Sequence, residues 1–447
     1  MYLKNQVFLV LGISKSGFSV SNYLLDNGVK TYIYEEKSSD KIDEAIRFIV
    51  NKGAIRLNKE NVFSALDTID ILIISPGVPI NHEVCVEAKN KNVRIMGEME
   101  FSFAVFYPTI VAITGTNGKT TTVSVLDNIF KNYNLNYKTV GNIGNPVSNE
   151  IASADKNTVF LTEVSSFQLE SISHFTPHIA CILNISPDHL ERHYNFSNYV
   201  FLKKRIYKNQ RESEYTVLNY DDEILKDVEH ETKGKVVFIS TKEVVDGGYM
   251  EGNDLYFKGE KIISTDEITI KGLHNLYNIL FAIAVSKIMG IPTEIIKEGI
   301  TSFRGVKHRI ELVFENNGVK YYNDSKSTNT FSCISAIESM VGQTVLIIGG
   351  SEKGEDYKSL FEKIKISDVK HVVITGASKY NMLKDCMAVG YHNVTVIEDF
   401  YEGIKVADML AKSGDNVLFS PACASFDKFN NFEERGEEFV KTVKELQ

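Results

Sequence analysis

Short apolar runs rich in β-branched residues recur along the chain. Each is followed by a turn containing Gly or Ser and then by a stretch with amphipathic helical spacing. The runs fall at residues 7–13, 31–34, 69–74, 110–114, 159–163, 178–184, 344–348, 371–375 and 417–420. A run that is apolar without alternation suits a strand covered on both faces, and its regular exchange with helical stretches predicts parallel sheets in α/β units. The same pattern excludes all-β and helical-bundle folds. Between 210 and 270 the runs shorten and turn polar (216–218, 236–239, 255–257), which predicts a small antiparallel excursion.

Two breaks divide the pattern. Residues 97–107 read as a helix closing a first unit, with Pro108 introducing a new strand, and Arg304-Gly305 interrupts the pattern near 303–306. The expected domains are 1–98, 99–305 and 306–447, in keeping with roughly 150 residues per domain. The charge balance, Lys+Arg 49 against Asp+Glu 58, gives −9. That excludes a whole-surface binder of nucleic acid or membrane and leaves a local basic pocket for a small anion open. No apolar run approaches the ~18 residues of a membrane helix, and 7–13 is too short for a signal peptide. The 5 cysteines are scattered and form no CxxC pair, so reduced thiols and a cytoplasmic location are expected.

Strand 110–114 runs into Gly115-Thr116-Asn117-Gly118-Lys119-Thr120-Thr121, and a helical stretch, 123–133, follows. Strand, glycine turn and helix N-terminus are what a nucleoside triphosphate needs. Backbone N–H groups approach the phosphates, the lysine reaches the β/γ oxygens, and a Thr hydroxyl ligates Mg²⁺. The strict pattern places Gly where Ile113 stands, so this is a shortened phosphate loop. Glu163 closes a buried-type strand, where Mg²⁺ ligands of α/β sheets stand. Asp188-His189 reads either as a metal ligand or as an Asx turn with a solvated histidine. The i,i+4 pairs His189/His193 and His174/His178 do not make a zinc site, because Pro177 interrupts the second and no HExxH glutamate is present. Lys203-Lys204-Arg205 reads as a solvated basic helix face.

The first domain opens with strand, Gly12-Ile-Ser14-Lys-Ser-Gly17, then helix, a relative of the dinucleotide fingerprint, with Glu35 where a ribose-binding acid falls. Ser75-Pro76-Gly77 gives the same sheet edge a second turn. In the third domain Asp324-Ser-Lys326-Ser-Thr328-Asn329, Lys353 and Ser420-Pro-Ala-Cys-Ala-Ser425 follow strands. They make either a pocket for a small dianion or a set of solvated turns and helix caps.

Together these segments resemble the Mur ligases over nearly the whole chain. The loop Gly115–Thr120 is shared with all Mur ligases and with folylpolyglutamate synthetases. Asn142-Ile-Gly144, Glu163-Val-Ser-Ser-Phe-Gln168-Leu-Glu170 and Asp188-His189 narrow the match. Asp324–Asn329 and the string from Ser420 to Gly436 are similar to the branch that joins D-glutamate to UDP-N-acetylmuramoyl-L-alanine. The resemblance implies a Rossmann-like first domain for the UDP-sugar, a P-loop ATPase-type central domain, and a Rossmann-like third domain for the amino acid. It implies a cytoplasmic enzyme of peptidoglycan precursor synthesis, working as a monomer with ATP and two Mg²⁺ and making an acyl phosphate. It further implies that residues 115–121 hold ATP, that Thr120 and Glu163 ligate metal, that His189 joins a second metal site, and that Lys203 is carbamylated. Asn275, Asn278, Arg309 and Asp324 would contact the nucleotide. Ser14, Glu36, Lys37, Ser75, Asn142 and Gln168 would bind the UDP-sugar, and Lys326, Thr328, Lys353, Ser425 and Phe432 the D-glutamate. The alternatives are a related ligase with another amino acid or a folate acceptor, an NAD-dependent oxidoreductase built on the Gly12–Gly17 turn, and a nucleotide sensor without turnover.

Overall fold

A computed structural model describes residues 3–352 and 356–446. Each apolar run is a strand, and the alternation within it is resolved by the layers on either side. In the first sheet Phe8, Val10, Ile33, Ile71 and Ile73 pack on one face against Val20, Leu24, Ile46 and Ile49. Their neighbours Leu9, Leu11, Leu72 and Ile74 pack on the other against Val62, Leu66 and Val84. Side chains of period two buried on both faces leave no polar position, hence the unbroken apolar runs. This sheet has five strands, in the order Ile55–Arg56, Thr31–Tyr34, Phe8–Leu11, Ile71–Ile74, Arg94–Gly97, all parallel. The strand order reverses at Phe8–Leu11, so the turns at Gly12 and Ser75 flank the crevice of a topological switch point.

The second sheet has nine strands. Thr109–Thr114 lies between Ile179–Ile182 and Val159–Glu163, parallel to both. Tyr137–Gly141 forms one edge. On the other side Tyr215–Asn219 and Lys235–Ser240 extend the sheet in parallel. Gly247–Glu251 pairs in parallel with Lys235–Ser240, and only the pairs of Asp254–Phe257 with Gly247–Glu251 and with Glu260–Ser264 are antiparallel. The expected excursion over 210–270 is therefore narrower than the sequence pattern predicts. Val217, Leu218 and Ile239 are fully buried in the main sheet, and the 220–234 connection is long enough for a parallel crossover.

The third sheet has six strands, parallel except for the hairpin of Glu311–Asn316 and Val319–Asn323. By its contacts the chain divides into two compact units. One holds the residues up to Ile268 and Leu276–Phe303, with the first two sheets. The other holds Thr269–Asn275 and the chain from Arg304 on, with the third. Among the described residues no helix is long and apolar enough to cross a membrane.

Candidate active site

In the first unit the chemistry gathers at the C-terminal edge of the nine-stranded sheet. Thr109–Thr114 ends in the loop, and the following helix, Lys119–Asn132, begins earlier than the apolar periodicity predicts. Lys119 and Thr120 thus occupy its first turn, where N–H groups are left without intrahelical partners and anions bind. Gly118 has φ +83°, and a Cβ there would stand 2.2 Å from Asn278 Oδ1. Only glycine fits that position. The loop is held from outside the motif. Thr116 Oγ1 donates to Ser186 O at 3.1 Å, accepts from Ser186 N at 3.0 Å, and meets the Tyr199 hydroxyl at 3.1 Å. Asn184 Oδ1 accepts from Asn117 N at 2.9 Å. Asn278 is buried and its Oδ1 accepts the Thr122 hydroxyl at 3.3 Å. Lys119 Nζ folds back on the loop, donating to Gly115 O and Thr116 O, each at 2.8 Å.

Glu163 is 1% exposed. Its Oε1 accepts from Asn142 Nδ2 at 2.7 Å, and its Oε2 is buried with no hydrogen-bond partner. A buried carboxylate oxygen left without a donor costs about 1–3 kcal/mol or more. A Mg²⁺ held with nucleotide phosphates typically takes one or two carboxylates and keeps phosphate and water oxygens for the rest, so the residues present fit such an ion. Among the described residues no group of three or more His, Cys, Asp and Glu could hold a metal alone.

The Lys203–Arg205 stretch is not the solvated face that its pattern predicts. Lys203 is 1% exposed, and its Nζ donates to Gly115 O at 2.8 Å and sits 4.8 Å from the centre of the Tyr199 ring. Burial, and then the Lys119 cation, push its pKa well below that of an ordinary lysine, while Asp188 and Glu163 pull the other way. Lys204 points instead to Glu231 at 2.8 Å. Arg205 Nη1 donates to Glu170 O at 2.7 Å, with Ile172 O as a second acceptor. His189 has φ +52°, is about half exposed, and lies 5.0 Å centre to centre from the Phe167 ring. Asp188 Oδ1 accepts from the adjacent His189 N at 3.0 Å, one residue on rather than the two residues of an Asx turn. His193, no zinc ligand by the sequence pattern, is buried, lies tilted against the Phe167 and Tyr199 rings, and meets the Ser166 hydroxyl at 3.0 Å. Nothing in the local sequence pattern marks Tyr199, which lies one helical turn before Lys203 on the same face.

At the edge of the first sheet the Ser75 hydroxyl donates to Gly12 O at 2.7 Å. Ser75 and Gln168 line one narrow crevice with Gly97 and Phe167. Ser14 is exposed and lines a cavity of about 590 Å³ with Phe18, Ile42 and Phe48. Glu36 lines a third, of about 730 Å³, with Tyr34, Arg56 and His82. Partial burial opposes ionisation of Glu36, but hydrogen bonds from Tyr34 and His82 hold its carboxyl below the usual range. Lys37 is exposed. Glu35 does not stand free for a ribose, because Ile13 N and Lys37 N donate to its two oxygens at 2.6 and 2.8 Å.

In the second unit Asp324 is buried rather than part of a solvated turn. It accepts from the Ser420 hydroxyl at 2.7 Å and from Ile310 N at 3.2 Å. Burial raises its pKa to about 6, against the pull of those hydrogen bonds and of Arg309. Lys326 Nζ lies 5.5 Å from the centre of the Phe432 ring. Ser425 is buried, Thr328 sits just before the Asn329 cap of helix Thr330–Ser339, and Asn275 Nδ2 donates to Lys271 O at 2.8 Å. Lys353 lies outside the described residues.

Family models match nearly end to end: a MurD-like Mur ligase N-terminal domain over 6–97, the Mur ligase middle domain over 113–286, and the Mur ligase glutamate ligase domain over 308–423. The chain is 40% identical over 454 residues to the UDP-N-acetylmuramoylalanine--D-glutamate ligase of Thermoanaerobacter sp. (strain X514), covering 100% of both. It is 38% identical over 451 residues to the enzyme of that name from Clostridioides difficile (strain 630), again covering 100% of both. Among solved structures it shares the fold of the UDP-N-acetylmuramate-alanine ligase MurC of Thermotoga maritima (TM-score 0.63, 18% identity, 99% of this chain and 100% of that one). It also shares that of MurF ligase from Thermotoga maritima in complex with ADP (TM-score 0.62, 17% identity, 100% of both).

Proposed function

The chain belongs to the Mur ligase family, and from that premise we propose that it joins D-glutamate to UDP-N-acetylmuramoyl-L-alanine in the cytoplasm. It is an ATP-dependent carbon–nitrogen ligase of peptidoglycan precursor synthesis. The observation that carries the substrate reading is 40% identity with a D-glutamate ligase along the full length of both chains, including the segments that would meet the amino acid.

A carboxylate is a poor electrophile, so the acceptor's terminal carboxylate first attacks the γ-phosphorus of ATP, giving an acyl phosphate and ADP. The amine of D-glutamate then attacks the acyl carbon, and the tetrahedral adduct collapses with loss of phosphate to the amide. The difficulty is bringing anion to anion, and catalysis is chiefly electrostatic. In this reading Lys119 unfolds from its two loop carbonyls onto the β/γ phosphates, and the first-turn N–H groups of its helix bind the same oxygens. Thr120 and Glu163 would hold Mg²⁺, which supplies charge neutralisation at the transferred phosphoryl group. The orphaned Oε2 supports that role. For a second ion His189 and a carbamylated Lys203 are the candidates. Carbamylation needs a neutral amine, and the buried, charge-crowded Lys203 supports it. Ser14, Glu36, Lys37, Ser75, Asn142 and Gln168 are assigned to the UDP-sugar. Asn275, Asn278, Arg309 and Asp324 are assigned to the nucleotide, and Lys326, Thr328, Lys353, Ser425 and Phe432 to the amino acid.

The test is phosphate release from ATP and Mg²⁺ with UDP-N-acetylmuramoyl-L-alanine, with and without D-glutamate. Release that needs both, with L-glutamate inactive, is the expected result. Release with a different amino acid keeps the chemistry and overturns the substrate.

A further inference from the structure

The C-terminal unit buries one guanidinium that no proposed chemical step uses. Arg435 is 1% exposed. Its Nε donates to Ser325 Oγ at 3.0 Å and its Nη2 to Ser325 O at 2.8 Å, while Nη1 donates to Cys423 O at 3.0 Å and to Ala424 O at 3.1 Å. All four acceptors are neutral. Burial draws its pKa down to about 10, so it stays cationic at neutral pH.

The acceptors lie on two separate segments. Ser325 stands between Asp324 and Lys326, and Cys423-Ala424 directly precede Ser425. Around them the packing is closed. The Ser325 hydroxyl donates to Phe432 O at 2.8 Å, Ser351 N donates to Ala424 O at 2.9 Å, and a Cβ on Gly350 would stand 2.3 Å from that same oxygen. The Asp427 and Asp324 carboxylates favour its charge from a distance, but none of these hydrogen bonds goes to a carboxylate, and a packed apolar side chain of similar volume would serve the fold as well or better. A lysine carries the charge but lacks the planar fork that reaches both segments at once. Arginine is the residue that fixes their spacing.

We propose that Arg435 is the positioning residue of the amino-acid pocket: without touching substrate, it holds Lys326 and Thr328 on one segment at a fixed distance from Ser425 on the other. This rests on the reading of those residues as the amino-acid site.

The experiment compares the full-length wild type with Arg435→Lys and Ser325→Ala, measuring kcat and the KM for amino acid, ATP and UDP-substrate, with thermal melts alongside. The expected result for Arg435→Lys is a KM for D-glutamate raised about tenfold to a hundredfold, the scale of a small misplacement, with the other two KM values unmoved. Ser325→Ala removes the bond its hydroxyl accepts from the Arg435 guanidinium and the one it donates to Phe432 O, and shifts the same KM by about tenfold. A folded Arg435→Lys with an unchanged amino-acid KM, or with kcat lowered and all three KM values intact, overturns the proposal. If Arg435→Lys does not fold, Ser325→Ala decides by the same comparison. If the wild type takes another amino acid, the D-glutamate reading fails, and the clamp is judged on the KM of the amino acid used.

Discussion

Asp324→Asn tests the electrostatics of the C-terminal unit without changing its shape. The wild-type carboxyl is 2% exposed and burial raises its pKa from 3.8 to about 6. That shift of about 2 units, at 1.36 kcal/mol each, is about 3 kcal/mol. The folded state holds the proton more tightly than the unfolded chain does, so between the two values it binds more protons. Wild-type stability therefore falls as pH rises from about 4 to about 6, and the full penalty persists above that. Asparagine does not ionise and carries no such term. Its amide meets the donors at Ser420 and Ile310 less well, a pH-independent cost of about 1–2 kcal/mol. The variant should gain about 3 kcal/mol on wild type between about pH 4 and about pH 7, and nothing beyond. For a unit of this size that is a change of about 6–12 °C in the difference of melting temperatures. Scanning calorimetry of both proteins across that range reads it directly. A difference that stays flat with pH, or one in which wild type gains as pH rises, refutes the assignment.

Three further outcomes are expected in the first unit. Lys119→Ala should leave the fold intact and lower kcat by about a thousandfold, measured as phosphate release; a loss confined to KM would remove the transition-state role. Lys203→Ala should abolish turnover and regain part of it with formate or acetate, and unaffected turnover would exclude the carbamate. Glu163→Gln should raise the Mg²⁺ concentration for half-maximal activity by about tenfold or more without lowering the melting temperature. An unchanged Mg²⁺ requirement would remove Glu163 from the metal.

The strands and the phosphate loop were legible because each is a local pattern. Nine unbroken apolar runs announce two-sided burial, and Gly115–Thr121 contains its own turn, cation and hydroxyl. What surrounds the loop was not. Tyr199, Ser186 and Asn184 reach Thr116 and Asn117 from up to 83 positions away, and no spacing along the chain encodes that. Lys203 and Lys204 are adjacent and chemically alike, so only the helix register decides which one turns under Gly115 and which meets Glu231. Distance along the chain alone makes Glu35 a ribose-binding acid, yet its carboxylate closes a bridge between two backbone segments. Periodicity also failed at 215–240, where polar edges on short strands disguise a parallel extension.

Buried charges in this protein differ in how fully they are paired. Glu100 is buried with N–H donors from Ser173, His174 and Phe175 at 2.8–3.0 Å, and Glu170 is paired with Arg192 at 2.7 Å. Those charges are satisfied, as structural ones must be. Glu163 meets one amide and leaves an oxygen unpaired. Lys203 meets a carbonyl and an aromatic face, Asp324 a hydroxyl and an N–H, and Arg435 only neutral oxygens. Folding alone gains nothing from keeping these four groups ionisable. In the proposed function, anionic phosphates with their cation would relieve the first two. Glu163, with an oxygen left unpaired, and Lys203, buried beside another cation, are the groups most costly in the bare fold, and they lie together beside the phosphate loop, where a ligand would relieve them.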